Sequence, residues 1–378
     1  MPLLKLFLLF LFVAILSIRC RQNYEPPVIR EGLSALVVDG FLNNSSDSTF
    51  IHLSRTQKLS EGLSHSQEKG ALLQVEDQNG HLLYSFSEGS DSGTYFVPGM
   101  NLDPNNRYRL RITTAGGKQY LSDTITVIPT PPIDSLGWVR SNQGLTLHVS
   151  THDPFNNTHY YRWDYTETWN YHAEYFSILK LEDGQLKDRQ PSEYIYNCWK
   201  TQRSTALLLA SSTNLSADVI YQFPVRQFDP DAIELSVKYF IDLRQYGLNK
   251  EAYQYLTNLK RITDQTGSIF DAQPSEINGN IHALGAPDEK VVGFITASTP
   301  ARIQRYISND EVAPWYHRDY CPVMKLPGDS AIAILLGKSA LPISKEGYGP
   351  SAKIVISDAF CVDCTLRGGS TTKPAFWQ

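Results

Sequence analysis

Apolar and polar positions alternate in short runs along most of the chain, with turn residues between them. From Leu33 to about Val127 the runs are "SALVVDGFLN", "STFIHLSRT", "ALLQVEDQNGHLLYSFSE", "GTYFVPG" and "RYRLRITTAGGKQYLSDTITV". Their β-branched and aromatic content predicts strands, and Asn79-Gly80 and Gly116-Gly117 are hairpin turn pairs. Leu102, Pro104 and Tyr108 in "LDPNNRY" look like the corner of an immunoglobulin- or fibronectin-like antiparallel sandwich, where a tyrosine hydroxyl bonds back a few residues upstream. The expectation for residues 33–128 is therefore such a sandwich. "IPTPPIDS", residues 128–135, stiffens the exit with three prolines and reads as a boundary.

From Leu136 the same patterning resumes in "GLTLHVSTHD", "THYYRWDYTETWNYHAEYFSILK", "STALLLASS", "AIELSVKYFIDL", "KVVGFITAST" and "SAKIVISDAF". Residues 136–378 are expected to form a second β-rich domain. One stretch has helical rather than strand periodicity. In "NKEAYQYLTNLKRITDQTG", Ala252, Tyr255, Leu256, Leu259 and Ile262 share a face at 3.6 spacing, Asn249 can cap the start and Gly267 can close the end. The prediction is a mainly β chain with one inserted helix near 249–266. No repeat of 20 to 50 residues is visible, which argues against a propeller or solenoid.

Period-2 patterning is strongest in "YYRWDYTETWNYH". On a strand, Tyr161, Trp163, Tyr165, Trp169 and Tyr171 point one way, and Arg162, Asp164, Thr166, Thr168 and Asn170 the other. Exposed, the aromatic row would be a platform for sugar rings or a partner's apolar surface. Buried, it would be the inside of a sandwich with the polar row in solvent, and the large area each ring covers favours burial.

The first residues break the pattern. The apolar run from Leu6 to Ile18 is shorter than the about 20 residues a spanning helix needs, Lys5 precedes it, and Arg19, Arg21 and Pro26-Pro27 follow. Residues 1–19 therefore read as an export leader. The order of leader, Cys20 and Pro-rich stretch resembles bacterial lipoproteins, although Leu16 lies one place early and Ile18 and Arg19 are larger than the usual residues there. Lipidation is expected at Cys20, with residues 20–32 as a tether to the membrane.

Export changes the meaning of the other cysteines, Cys198, Cys321, Cys361 and Cys364. Four in an exported chain read first as two disulfides, with three pairings open. "CVDC" also has the spacing of a zinc half-site, but the remaining cysteines are single and distant, and the run into "TLRGGSTT" does not resemble a redox site. A net charge of −5 with no Lys/Arg stripe sets nucleic acid aside as a partner. The signatures H-E-x-x-H, G-x-S-x-G, G-x-G-x-x-G, the P-loop and the EF-hand loop do not occur. "GSDSG" centres on Asp91 and reads as a turn. The acidic pairs Asp229 with Asp231 and Asp288 with Glu289 read as solvated, and His159, His172, His282 and His317 lack metal spacing. No catalytic residue, metal or cofactor is expected.

"GSIFDAQPSEINGNI" at residues 267–281, "VVGFITAS" and the ending "CVDCTLRGGSTTKPAFW" resemble the Bacteroidota envelope lipoproteins that share a domain of unknown function and are commonly encoded beside TonB-dependent outer-membrane receptors. "ALVVDGFLNN", "FIHLSRTQ" and "EAYQYLTNLKRIT" extend the resemblance over nearly the whole mature chain. It implies a lipid-anchored outer-membrane protein without an established enzymatic activity, acting as a binding or accessory module to a TonB-dependent barrel. The alternatives are a glycan or peptide hydrolase with carboxylates gathered from distant loops, and a structural envelope protein or adhesin. Arg21, Gln22 and Asn23 replace the acidic residues usual after the cysteine of surface-exposed members, so both membrane faces stay open. The binding candidates are Asp271, Gln273 and Asn278 in the polar loop, Trp315, Tyr316 and His317 in "APWYHRDY", and Phe376 and Trp377 at the tail.

Overall fold

The computed structural model describes residues 34–57, 66–265 and 279–378. The chain is mainly β, built of antiparallel sheets with short helical pieces, as the alternating pattern predicts. Cys20, the leader and Gly267 lie outside the described residues.

The first sandwich follows from its alternation. Thr49–Arg55 buries every second residue, Thr49, Ile51 and Leu53, and exposes Phe50 and His52. It pairs antiparallel with Leu36–Gly40 on one side and Thr94–Val97 on the other. The facing sheet centres on Arg107–Thr113, flanked by Leu72–Asp77, Gln119–Ser122 and Ile125–Pro129. Leu36, Ile51, Leu53, Leu73, Val75, Leu110 and Ile112 fill the space between. At the corner, the buried Tyr108 donates its hydroxyl to the Asp103 carbonyl at 3.0 Å, as the "LDPNNRY" pattern predicts.

This sandwich is completed from far along the chain. The sequence places "KVVGFITAST" with the second unit. In the structure Val291–Val292 runs parallel to Leu36–Gly40, Ala297–Thr299 lies between Leu42–Asn43 and Ile125–Pro129, and Ile281–Ala283 pairs with Gln119–Ser122. Ile281, Val291, Ile295 and Ala297 are part of the first core. Parallel pairing of this range leaves no local turn signal, so pattern reading has nothing to detect it by. The fit is close: Gly293 has φ +149°, and a Cβ there would meet the Val38 carbonyl oxygen at 2.3 Å. Only glycine lets the backbone pass.

The second sandwich sets Ile133–Ser141, Gly144–His152 and Val219–Phe228 against a five-stranded sheet centred on Tyr160–His172 and Lys238–Leu248. The aromatic row of Tyr160–His172 faces inward, with Tyr161, Trp163, Tyr165, Trp169 and Tyr171 all buried beside Leu147, Phe228, Tyr239 and Leu243. Glu167 interrupts that row. It is buried, and it accepts from Arg226 Nε at 3.0 Å and the Tyr239 hydroxyl at 2.8 Å, which satisfies a charge that would be costly alone.

The linker between the sandwiches is pinned. Gln245 is fully buried, accepts from Trp163 Nε1 at 2.9 Å, and donates to the Pro131 carbonyl at 2.8 Å and Thr151 Oγ1 at 2.9 Å. The predicted helix forms over Lys250–Gln265, with Asn249 Oδ1 accepting from the Ala252 amide at 2.9 Å and Ala252 and Tyr255 buried. Two shorter helices, Gly328–Leu335 and Ala359–Val362, escape the periodicity reading because eight and four residues are too short to show a 3.6-residue period.

A smaller sheet of Val323–Pro327, Lys353–Asp358 and Ala340–Glu346 closes the chain. Disulfides resolve the open pairing as Cys198–Cys364 and Cys321–Cys361, so the two cysteines of "CVDC" bond to different partners and not to a metal. Cys198–Cys364 spans 166 residues and Cys321–Cys361 spans 40. Loop-closure entropy predicts that replacing Cys198 and Cys364 by serine lowers the unfolding free energy by about 3–5 kcal/mol, and replacing Cys321 and Cys361 by about 1 kcal/mol less. Urea titration of the two double variants measures both, and a larger loss for the shorter loop would contradict the expectation.

Candidate functional site

The outer face of the Tyr160–His172 sheet is divided. At one end Thr168 and Asn170 are buried, and Phe240 stacks with Tyr306 and Phe376 at 4.6 and 5.1 Å between ring centroids. Trp377 sits edge-on to Tyr306 at 5.6 Å, so the C-terminal residues cover this half. At the other end Arg162, Asp164 and Thr166 are half-buried rather than in solvent, because the first sandwich stands opposite them. Between the two lies a cleft of about 570 Å³, a size suited to a small ligand.

Strand register composes its floor. Asp164 is directly across from Arg244, and Arg244 is across from Arg302 on the next strand. Thr166 lies between Arg203 on one side and Asp242 on the other, and Arg162 is across from Tyr246. Directly opposed residues share a sheet face, so these side chains converge on the cleft. Asp39, Phe41, Asn43, Asp47, Phe50 and His52 of the first sandwich form the facing wall.

The charges at the two ends differ. Arg302 grips Asp242 with two bonds, Nε to Oδ1 at 2.6 Å and Nη2 to Oδ2 at 2.7 Å, and Asp47 adds its field at the same end. Arg162 comes only to 3.7 Å from Asp164, and Arg244 only to 3.9 Å from Asp242. Asp164 instead accepts from the Tyr246 hydroxyl at 3.1 Å, and the Arg162 guanidinium lies over the Tyr246 ring at 5.7 Å. Phe41 braces that ring edge-on at 4.7 Å. Surrounding protein pushes the Asp164 carboxyl above its ordinary range, and the positive fields of Arg162, Arg244 and Arg203 offset this only in part.

The residues singled out by sequence lie elsewhere. Asp271, Gln273 and Asn278 fall outside the described residues. Trp315 is buried in the second core and donates from Nε1 to the Ala232 carbonyl at 2.9 Å, a packing anchor rather than an exposed contact. Tyr316 is exposed, and His317 Nδ1 lies 2.7 Å from the Asp231 carbonyl. Phe376 is half-exposed while Trp377 is buried. None of these five lines the cleft. Of the acidic pairs, Glu289 is paired with Lys118 at 2.8 Å rather than solvated. Sequence reasoning finds Arg162, Asp164 and Thr166 as a polar row but misses Arg203, Arg244, Arg302 and Asp39, which come singly from four other strands. No cluster of metal-ligating side chains occurs among the described residues.

A family model for a domain of unknown function (DUF4249) matches residues 21–304. That stretch includes every residue lining the cleft and stops within the strand Ala301–Ser308, so the C-terminal cysteine-glycine-tryptophan pattern lies beyond it. No curated protein matches the chain.

Ionisation of Asp164 opposes folding, because its folded carboxyl holds a proton more tightly than the unfolded one. The penalty is absent below the ordinary carboxylate range, grows as pH rises through the raised value, and is complete above it. Asp164→Asn is expected to raise Tm at pH 7, with the gain vanishing below about pH 4. Scanning calorimetry across that range checks it, and a lower Tm at pH 7 would refute the assignment.

Proposed function

The chain belongs to the DUF4249 family, and from that premise we propose that it is an outer-membrane lipoprotein acting as a non-enzymatic binding module, accessory to a TonB-dependent receptor in nutrient uptake. The observation that carries the binding reading is the cleft: two sandwiches hold a row of charged and aromatic side chains around a small-ligand volume. Its lining is dominated by hydrogen-bonding groups that would orient a polar ligand. Support for the location comes from the order of residues 1–32, an apolar run, then Cys20, then a Pro-rich stretch, and from two disulfides of the kind that oxidising compartments retain. No helix of the described residues is long and apolar enough to cross a membrane, so the proposed anchor is the lipid on Cys20. Tethering would confine the protein and a barrel to one membrane layer and raise their effective concentration, so a modest interface would suffice. The exposed Tyr316 and half-exposed Phe376 are contact candidates on this reading.

A hydrolase reading has one observation in its favour, the raised Asp164 carboxyl in a cleft that also contains Asp39. Turnover of a polysaccharide or peptide, abolished by Asp164→Asn, would select it over the binding module.

Palmitate labelling in the native host is expected to mark the wild type and not Cys20→Ala. Affinity purification of tagged protein from detergent-solubilised outer membranes is expected to recover a TonB-dependent barrel at fixed stoichiometry, and deletion to reduce that receptor's uptake. Label persisting in the variant would remove the lipid anchor from the proposal; absence of a barrel, or unchanged uptake, would remove the accessory role.

A further inference from the structure

Three guanidinium groups in the cleft have hydrogen-bond donors with no protein acceptor among the described residues. Arg162, Arg203 and Arg244 line the cleft, and none donates a side-chain hydrogen bond among the described residues. Each guanidinium has five N–H donors in a planar fork that matches the two oxygens of a carboxylate or phosphate. They belong to three adjacent strands: Arg203 and Arg244 flank the central strand of Arg162, with Arg203 across from Thr166 and Arg244 across from Asp164. Relative to Arg162, Arg244 is offset by two residues and Arg203 by four, about 7 and about 13 Å along the strand, so the three long side chains border one stretch of floor that an anion can lie along.

Carboxylates stand near these arginines but are engaged otherwise. Asp242 is gripped by Arg302 with Arg244 at 3.9 Å, Asp164 accepts from Tyr246, and Asp39 lines the facing wall, so none accepts a hydrogen bond from Arg162, Arg203 or Arg244 among the described residues. Several arginines elsewhere are spent on carboxylates. Arg111 Nε is bonded to Glu76 at 2.8 Å, Arg226 to Glu167 and Glu234 at 3.0 Å each, and Arg55 to Glu68 at 2.6 Å. Thr166 and Ser204 place hydroxyls in the same cleft, and the Phe41–Tyr246 pair supplies an apolar wall for the body of a ligand.

We propose that Arg162, Arg203 and Arg244 in the cleft bind the carboxylate or phosphate group of a small anionic ligand. The inference rests on the binding-module reading of the same cleft and names its ligand class. The two oxyanion sources share one chemistry, planar N–H donors converging on paired oxygens.

The test is isothermal titration calorimetry on residues 21–378, with citrate and inorganic phosphate as anionic probes and glucose as the neutral control, in low salt at pH 7. Heat is expected from at least one anion and not from glucose. Arg203→Gln and Arg244→Gln are each expected to weaken that affinity about tenfold or more, and added salt to weaken it further. Which anion binds distinguishes the carboxylate from the phosphate source. Arg203 is exposed, so its replacement leaves the core untouched, and an unchanged Tm certifies each variant. No heat from either anion up to about 10 mM, or an affinity unchanged in both variants, overturns the inference. Barrel co-purification separates it from the accessory reading: anion binding lost with the barrel retained defeats only the ligand class, and the barrel lost with anion binding intact defeats only the accessory role.

Discussion

The return of residues 281–299 to the first sandwich is the constraint on which the rest of the structure depends. The clasp that opens it is local and buried: Asn280 donates from Nδ2 to the Ile295 carbonyl and accepts at Oδ1 from the Ile295 amide, both at 2.8 Å. A side-chain amide spent on both backbone groups of one residue imitates a strand partner and matches the Ile295 amide and carbonyl. Ala297–Thr299 then serves the first sandwich and, after Pro300 alone, Ala301–Ser308 serves the second. Together with the linker held by Gln245, this gives two short crossings between the sandwiches. Both crossings are short, so the chain itself keeps the two walls of the cleft adjacent.

The central strand Tyr160–His172 shows how one segment serves packing and site together. Its inward side is aromatic, with Tyr161 and Trp163 stacked at 5.7 Å and Trp163 on Phe223 at 4.8 Å. Its single inward charge, Glu167, is neutralised by Arg226 and bonded by Tyr239. The outward side has the opposite economy: Arg162 and Asp164 stand 3.7 Å apart without a hydrogen bond between them. An unpaired charge in the core would cost several kcal/mol, so Glu167 is satisfied, whereas Arg162 at the half-buried cleft has no hydrogen-bonded partner among the described residues.

The C-terminal sheet adds a third body outside the matched family region, held to the second sandwich by Cys198–Cys364. Its terminal residues cover the part of the central sheet that the first sandwich does not. Tyr306 donates to the Phe376 carbonyl at 2.9 Å, and Trp377 closes over Tyr306. The sheet's outer face is thereby partitioned into a covered aromatic half and an open charged half.

The sequence by itself determined what period and local chemistry encode. Alternation specified the strands, Asn249 and the 3.6-residue spacing specified the helix, Tyr108 specified its corner, and ring size placed the aromatic row of Tyr160–His172 inside. Each is set within a few residues of itself, where turn, cap and burial preferences act. Only tertiary structure decided which strands share a sheet, which cysteines pair, and which charges meet. Val291 finding Leu36, Cys198 finding Cys364, and Arg203, Arg244 and Arg302 joining Arg162 are contacts across long stretches of chain. They arise because closing both cores leaves one arrangement in which every apolar face is covered, and no residue's own neighbours in sequence record where that arrangement puts it.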